Sequence, residues 1–367
     1  MEKVDPTDRI AVIEKEIRET PYHKGTERHI GLLRAKLAKL RDEEVEKSTK
    51  KSGGGGGYAV KKQGDATIVL VGPPSVGKST LLNALTNAQS KVAPYAFTTV
   101  SVIPGMMKYK NAYFQILDVP GLISGAEEGK GRGREVLSVV RGADLLVIMT
   151  DHKHLKSVKT ITEALYRNGI RLNQVPPDVV AEKKLRGGII IHSNIKQDLG
   201  NETIKEVAEQ FGFKNAEITI REKLNMDTLI DVFSENRVYA SGMIVINKAD
   251  DLSTDDKKSV ISHLKDYPEI VFISAKEESG MDEFRQIVWD KLRFCTIYLV
   301  RKDEEPGTQS PIVVKNTTKL SDVAVSIGPE FAQGMKRAKI WGAGAKFPGQ
   351  EVSLDTKVID GIQVRFV

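Results

Sequence analysis

The sequence predicts an α/β protein built around a mostly parallel sheet. Short, almost continuously apolar runs such as Ala66–Val71, Asp144–Thr150 and Gly242–Ile246 alternate with stretches of helical periodicity. Strands that helices cover on both faces have this composition. Glycine-rich and polar turns follow several of the runs, at the edge where open α/β sheets bind ligands. Further runs, Tyr113–Leu117 and Ile270–Ile273, complete the expected sheet.

Composition limits the class of protein and its location. With 367 residues, 40% hydrophobic and 28% charged, we expect about two to four soluble globular domains. The longest strongly apolar run, Leu145–Met149, is far shorter than the roughly 20 residues of a membrane helix. The single cysteine, Cys295, cannot form an internal disulfide, so we expect a cytoplasmic protein. A net charge of +6 permits contact with RNA without requiring it.

The strongest motif is a glycine-rich loop between a predicted strand and a predicted helix. It consists of Gly72, Pro73, Pro74, Ser75, Val76, Gly77, Lys78 and Ser79. This G-x-x-x-x-G-K-S pattern aims backbone N–H groups at phosphate. Because the two prolines lack N–H groups, we expect the donors to run from Ser75 to Thr80. Lys78 is predicted to contact the β- and γ-phosphates, and Ser79 to bind Mg²⁺.

A second motif follows the next predicted strand of the sheet. It consists of Asp118, Val119, Pro120 and Gly121. The carboxylate of Asp118 suits a Mg²⁺ site through water, and the N–H group of Gly121 suits a γ-phosphate. Such a turn is weak evidence alone, and its position after the phosphate-binding loop gives it weight.

Two further loops predict that the base is guanine. Asn247, Lys248, Ala249 and Asp250 follow one strand, and Ser274, Ala275 and Lys276 follow another. Guanine presents N1–H and N2–H₂ donors that one carboxylate, here Asp250, accepts together, and adenine does not. Asn247 would brace the loop, the Lys248 stem would lie against the base, and the Ala275 N–H would complete the pocket. The four motifs in this order predict a GTP/GDP site.

These residues resemble the Obg-like, translation-factor class of GTPases. The segment Tyr95–Thr99 is similar to that group's first switch, which implies that Thr99 is a Mg²⁺ ligand and senses the γ-phosphate. The segment Gly125–Arg134 is similar to its glycine-rich second switch. The resemblance thereby implies catalytic roles for Lys78, Thr99 and Gly121.

Nearly the whole chain resembles the developmentally regulated GTP-binding proteins. The resemblance rests on His29–Arg41, the glycines at 53–57, Gly169–Asn173, Gly187–Ile189 and Asn236–Tyr239. It implies an N-terminal helical hairpin and linker (1–60), a G domain (64–165 and 240–293), an inserted α+β, ribosomal-protein-like module (166–239) and a C-terminal β-grasp TGS domain (294–367). It also implies a ribosome or ribosomal RNA as partner. We expect a monomer that a regulatory protein partner could control.

One position departs from ordinary GTPases. Leu122 stands where Ras-like proteins place the glutamine that orients the attacking water. We therefore expect slow intrinsic hydrolysis, on the order of 10⁻⁴–10⁻² s⁻¹, that K⁺ or a partner accelerates. The resemblance favours K⁺, although Ser75 replaces the asparagine of many potassium-dependent relatives.

Other candidate features have ordinary structural explanations. Arg132 and Arg134 are either charge stabilisers or solvated arginines, and the second is expected. The segment Asp151–His154 suggests a metal site, but a surface loop is expected. The basic helix at 28–41 can contact RNA phosphates or pack its leucines on the G domain. Trp341 is expected in a core rather than on a base-stacking surface.

Three functions fit the sequence to different degrees. The first is a Mg²⁺-dependent GTPase that acts as a ribosome- or RNA-associated switch. The second is an RNA or ribosome assembly protein in which the nucleotide is mainly structural, and a damaged motif would favour it. The third is a metabolic kinase or ATPase, which the segment Asn247–Asp250 disfavours.

Overall fold

The computed structural model describes residues 6–50, 62–86, 93–94, 101–119, 132–267 and 269–367, with side chains except at 6–7, 44–50, 93–94, 101 and 132–135. The chain divides into two compact units. We call Met1–Ala59 with Thr162–Ala240 the insertion unit, and Val60–Ile161 with Ser241–Val367 the sheet unit.

The strands and helices alternate along most of the chain. The strands are β1 Ala66–Val71, β2 Ala93–Pro94, β3 Ser101–Tyr109, β4 Ala112–Asp118, β5 Leu145–Asp151, β6 Ile170–Leu172, β7 Val179–Lys183, β8 Ile189–Ser193, β9 Ala216–Ile220, β10 Val238–Asn247, β11 Ile270–Phe272, β12 Phe294–Leu299, β13 Pro311–Lys315, β14 Arg337–Gly342, β15 Gln350–Ser353 and β16 Ile362–Phe366. The α-helices are Pro6–Glu19, Glu27–Lys50, Lys78–Thr86, Arg132–Arg141, Lys156–Arg167, Asn201–Gln210, Met226–Phe233, Thr254–His263, Met281–Lys291, Leu320–Ile327 and Pro329–Gly334.

The predicted parallel sheet is confirmed in the sheet unit. Its strand order is β11-β10-β5-β1-β4-β3-β2. The pairs β1–β4, β1–β5, β5–β10 and β10–β11 are parallel, and β3 is antiparallel to β4. Every residue of β1 and β5 is buried, as near-continuous apolar strands predict. The carboxyl ends of β1, β4, β5, β10 and β11 therefore lie along one edge of this sheet.

Strand β3 is absent from the predicted set because its sequence contains Pro104 and Gly105, which disfavour strands. Among the described residues, β3 pairs with β4 along its length but with β2 only at Ser101 and Val102. Pro104 lies beyond the described β2–β3 pairing and opposite Leu117 of β4.

The C-terminal part of the sheet unit carries a second sheet, in the order β13-β12-β16-β14-β15. Its core includes Ile297, Leu320, Ala338 and Ile340. The expected core position of Trp341 is wrong: the ring is half-buried, with the Arg365 guanidinium carbon 5.2 Å from its centroid. Side chains alternate along a strand, so Ala338 and Ile340 face the core and Trp341 faces away.

The insertion unit packs helices on a small sheet of order β7-β9-β8. Its core combines strand residues such as Ile218 with Ile204 and Leu229 from two helices, and with Ala35 of helix Glu27–Lys50. Within this unit, β6 also pairs in parallel with the beginning of β10.

The leucine face of the basic N-terminal helix packs on another helix of the insertion unit. Its residues Leu33 and Leu37 pack with Ile13 of helix Pro6–Glu19. Its cations face acids of the same unit: Arg28 pairs with Glu206, and Arg41 Nη2 lies 2.5 Å from Glu14 Oε1. An amphipathic pattern shows which face of a helix is buried, but it does not identify the covering element.

The described part of the chain contains no helix long and apolar enough to span a membrane.

Candidate nucleotide-binding site

The glycine-rich loop links the end of β1 to helix Lys78–Thr86. Ser75 has φ 63° and Gly77 has φ 95°, which turns the chain back sharply toward the helix. Lys78 Nζ donates to the carbonyl oxygens of Gly72 at 3.0 Å and Pro73 at 2.9 Å. Burial lowers the pKa of Lys78, although the nearby Asp118 carboxylate opposes the shift. The loop therefore holds a cation where it can contact phosphate.

Close packing explains both glycines of the loop. A Cβ atom at Gly72 would lie 2.1 Å from the carbonyl oxygen of Met149. A Cβ atom at Gly77 would lie 2.3 Å from Asn247 Nδ2. The loop can therefore approach β5 and the loop after β10 only because neither position carries a side chain.

The phosphate loop meets the aspartate at the end of β4. Ser79 Oγ donates to Asp118 Oδ2 at 2.6 Å. Asp118 is only 4% exposed, and its other oxygen, Oδ1, is buried without a hydrogen-bond partner in the part of the chain that the structure describes. A hydroxyl beside an unpartnered buried carboxylate oxygen matches the hard oxygen ligands that Mg²⁺ prefers. These residues fit a magnesium ion.

Asn247 connects the phosphate loop to the two loops predicted to bind the base. Its Nδ2 donates to the carbonyl oxygen of Val76 at 2.8 Å, and its Oδ1 accepts from the N–H of Ala275 at 2.9 Å. Lys248 Nζ donates to the carbonyl oxygen of Ser75 at 3.1 Å. The bracing role predicted for Asn247 therefore has direct contacts in the structure.

Asp250 and Lys276, the last residues of the two predicted base loops, differ in their surroundings. A hydrogen bond with Ser274 lowers the pKa of Asp250, so the exposed carboxylate is ionised and is an acceptor only. Lys276 Nζ lies 3.1 Å from Glu277 Oε1 and is exposed. Asp250 thus presents the acceptor that guanine requires, while the Lys276 ammonium points to solvent and a neighbouring carboxylate.

One residue of this edge was missed by sequence reasoning. Asp151 ends β5 and is 1% exposed, so the expectation of a surface loop is wrong for this residue but right for Lys153 and His154. Its Oδ2 accepts from Lys248 Nζ at 2.7 Å. No group of three potential metal-ligating side chains occurs in the described residues. The available signal was its place at the end of a buried strand between two motif-bearing strands.

Several predicted site residues lie outside the described residues: Thr99, Pro120, Gly121 and Leu122, together with most of the two switch segments. Arg132 and Arg134 fall in the first turn of helix Arg132–Arg141, where side chains are not described. The residues that the structure does bring together come from the ends of β1, β4, β5, β10 and β11.

Comparisons with known proteins agree with this arrangement. Residues 67–183 match a family described as 50S ribosome-binding GTPase, and residues 186–294 match the model of that domain's C-terminal region. The chain is 42% identical to an uncharacterized GTP-binding protein of Methanocaldococcus jannaschii, over 96% of this chain and 90% of the relative. It is 40% identical to developmentally-regulated GTP-binding protein 1 of Xenopus laevis, over 98% of both chains.

A further relative is developmentally-regulated GTP-binding protein 2 of Homo sapiens, 37% identical over 95% of both chains. Identity of this extent covers the G domain, the insertion and the C-terminal region together. These similarities show a GTP-binding protein of the GTPase class. The chain belongs to the family of developmentally regulated GTP-binding proteins.

Proposed function

We propose that this protein hydrolyses GTP to GDP and phosphate in a Mg²⁺-dependent reaction, and that the bound nucleotide controls its association with the ribosome or ribosomal RNA. The observation that carries the enzymatic part is the pair Ser79–Asp118. A buried carboxylate oxygen without a partner among the described residues has a desolvation cost that a bound ligand can offset.

The phosphate end of the site is assigned to the glycine-rich loop. Backbone N–H groups from Ser75 to Thr80 would bind the phosphates, and Lys78 would exchange its two carbonyl acceptors for phosphate oxygens. The phosphates are more strongly attractive acceptors than the two neutral carbonyls. Thr99 and the N–H group of Gly121 would contact the γ-phosphate, and so would differ between the GTP and GDP states.

Magnesium would be held by Ser79 directly, by Asp118 through water, and by Thr99. When bound, Mg²⁺ neutralises the charge that develops on the phosphates during transfer. The protein orients these ligands: the 2.6 Å contact between Ser79 Oγ and Asp118 already holds the two oxygen-bearing side chains close together.

The base end is assigned to Asp250, Lys248 and the N–H group of Ala275. The ionised Asp250 would accept from guanine N1–H and N2–H₂, and adenine offers no such pair. The contacts of Asn247 with Val76 and Ala275 support this role, because they tie the base loops to the phosphate loop at a fixed distance.

The substitution at Leu122 supports a slow intrinsic rate, because leucine cannot orient water. We propose that a switch backbone group, K⁺ or a partner residue organises the water instead. We expect intrinsic turnover on the order of 10⁻⁴–10⁻² s⁻¹. The rate should be higher in K⁺ than in Na⁺, or should rise when ribosomes are added. Fast turnover in Na⁺ without a partner would contradict this assignment.

The ribosomal part rests on the family and on the additional modules. The matching family description names a ribosome-binding GTPase, and the C-terminal sheet is assigned to the TGS type. The test is cosedimentation of the full chain with ribosomes, loaded with a non-hydrolysable GTP analogue or with GDP, across a salt series. Retention in the GTP state and release in the GDP state is expected for a switch. Equal binding in both states would favour an assembly protein with a structural nucleotide.

A further inference from the structure

We propose that Asp151 is a positioning residue for guanine binding, and that it acts by fixing Lys248 as one wall of the base site. The inference rests on the proposed guanine site. It assigns a role to a buried carboxylate that neither phosphate binding nor base-edge recognition uses directly.

The position of Asp151 follows from the sheet. Strand β5 lies between β1, which leads into the glycine-rich loop, and β10, which leads into the base loop. Asp151 is the last residue of β5 and is in register with Asn247 of β10. A side chain at this point is next to both loops, although 97 positions of the chain separate it from Lys248.

The two carboxylate oxygens of Asp151 have separate tasks. Oδ1 accepts from the N–H of Lys153 at 3.1 Å and lies 2.6 Å from His154 Nδ1. Oδ2 lies 2.7 Å from Lys248 Nζ. Burial opposes ionisation of Asp151, but the contacts with Lys248 and His154 outweigh it and hold the pKa below its ordinary value. The group is therefore a carboxylate, His154 Nδ1 is the donor, and the fixed Oδ1 aims Oδ2 at Lys248.

The Lys248 side chain is consequently held at its far end. Its ammonium lies between the Asp151 carboxylate and the carbonyl oxygen of Ser75, 2.7 Å and 3.1 Å away. Its backbone is in the left-handed region, with φ 61°, an uncommon conformation for a lysine. With both ends fixed, the four-carbon stem of Lys248 has few conformations open to it. A free lysine would instead sample many rotamers.

In this arrangement, Lys248 would determine how tightly a purine base is bound, and Asp250 would determine which base is preferred. The Lys248 stem would contact the face of the base, which is alike in guanine and hypoxanthine. Asp250 would contact the edge, where guanine has an amino group at C2 and hypoxanthine has none. Loss of Asp151 should therefore weaken guanine and hypoxanthine nucleotides by similar factors, whereas loss of Asp250 should reduce the preference for guanine.

The test measures GDP and IDP binding to the full chain by calorimetry. Asp151→Asn is expected to weaken both nucleotides on the order of tenfold, the effect of one charge-assisted hydrogen bond, with the GDP-to-IDP ratio unchanged. Lys248→Met keeps an apolar stem and removes the ammonium, and should weaken both nucleotides by a similar factor. In the Lys248→Met background, Asp151→Asn should add little, because both substitutions remove the same contact.

Asp144→Asn is the matched control, because Asp144 precedes the same strand at its opposite end and binds Lys62 and the N–H of Thr67. It should leave both affinities unchanged. Additive effects of Asp151→Asn and Lys248→Met, or an Asp151→Asn protein that binds like Asp144→Asn, would overturn the inference. If Asp151→Asn does not fold, unchanged GDP and IDP affinity in Lys248→Met, which alters a half-buried side chain, would overturn the inference as well.

Failure of the proposed function gives a different result. In that case the unaltered protein would not bind GDP, or Asp250→Asn would leave the GDP-to-IDP ratio unchanged. Failure of the inference alone leaves GDP binding and the Asp250→Asn effect intact.

Discussion

Asn247 Nδ2 donates a hydrogen bond to the carbonyl oxygen of Val76 at 2.8 Å. This contact joins the loop after β10 to the phosphate-binding loop after β1, and β5 lies between the two strands. The other amide atom, Oδ1, accepts from Ala275 N–H. One buried side chain thus sets the distance between the residues that would bind the base and those that would bind the phosphates.

Asn247→Ala should therefore weaken nucleotide binding strongly. The substitution leaves two backbone groups without their partner, at a cost of about 1–3 kcal/mol for each buried group. A cost of about 3 kcal/mol, the upper end of that range for a single group, corresponds to a loss of GDP affinity of roughly a hundredfold. We expect calorimetry on the full chain to measure a loss of this size. Asn215→Ala is a suitable control, because Asn215 also joins two backbone groups, Gly188 N–H and Leu185 C=O, but lies in the insertion unit. Unchanged GDP affinity in Asn247→Ala would contradict the bracing role.

Gly77→Ala should also disrupt the site, for steric reasons. The new Cβ would lie 2.3 Å from Asn247 Nδ2 at a residue with φ +95°, so the amide or the loop must move. GDP affinity should fall at least tenfold in equilibrium titrations. Gly212→Ala separates the effect of the clash from that of the left-handed backbone. Gly212 has φ +84°, but no atom of the described residues lies within 4 Å of its Cβ position. Gly212→Ala should reduce thermal stability slightly and leave GDP binding intact. An equal loss of GDP affinity in Gly77→Ala and Gly212→Ala would argue against the clash as the cause.

The insertion unit depends on a buried ionic network. Asp231 accepts from Arg171 Nε and from Arg237 Nε, each at 2.6 Å, and it is 7% exposed. Removing one member of such a network leaves uncompensated buried charge, so Asp231→Asn should lower the free energy of unfolding by about 3–5 kcal/mol. The measurement is urea unfolding followed by circular dichroism.

Asp227→Asn is the matched control for this experiment. Its carboxylate pairs with Arg34 at 3.3 Å, with both side chains substantially exposed. Such pairs contribute about 0–1 kcal/mol, so the midpoint should move little. Comparable destabilisation by both variants would show that burial does not distinguish the two ion pairs.

The stability contribution of Asp151 should depend on pH with a definite sign. Its folded-state pKa lies below the ordinary 3.8 because contacts with Lys248 and His154 outweigh the effect of burial. The contribution is therefore fully present above the ordinary pKa and is lost as the pH falls through the lowered one. Near pH 7, the free energy of unfolding of Asp151→Asn should be about 1–3 kcal/mol lower than that of the unaltered protein.

Urea titrations at a series of pH values measure this difference. The gap between Asp151→Asn and the unaltered protein should still be present at about pH 5 and should narrow as the pH falls below the ordinary pKa of an aspartate. A gap that widens below that pKa would mean that the carboxylate is not the ionised partner of Lys248.

Much of the fold and site could be predicted because local patterns specify them. The runs around β1, β5 and β10 are apolar at nearly every position, and the polar motifs begin where these runs end. Strand β3 could not be predicted, since Pro104 and Gly105 disfavour a strand locally, and its pairing with β4 is a property of the folded sheet. Helix Glu27–Lys50 was predicted, but its neighbours were not, because its sequence marks a buried face without identifying the helices that cover it.

At the site, the contacts of Asp151 could not be predicted from the sequence. Its sequence neighbours His152, Lys153 and His154 suggest surface or metal chemistry, and its actual partner Lys248 belongs to a distant motif. The pairing arises from strand order and register, which a single sequence does not state. Thr99 and Gly121, by contrast, remain predictions that rest on their motifs.

The most direct measurement is equilibrium binding of GTP and ATP to the full chain in Mg²⁺, with Asp250→Asn beside the unaltered protein. A site of the described geometry should bind GTP at least a hundredfold more tightly than ATP, because only guanine supplies donors for the Asp250 carboxylate. Asp250→Asn should abolish most of that preference. Equal affinity for GTP and ATP in the unaltered protein would contradict the assignment of these loops as a guanine-nucleotide site.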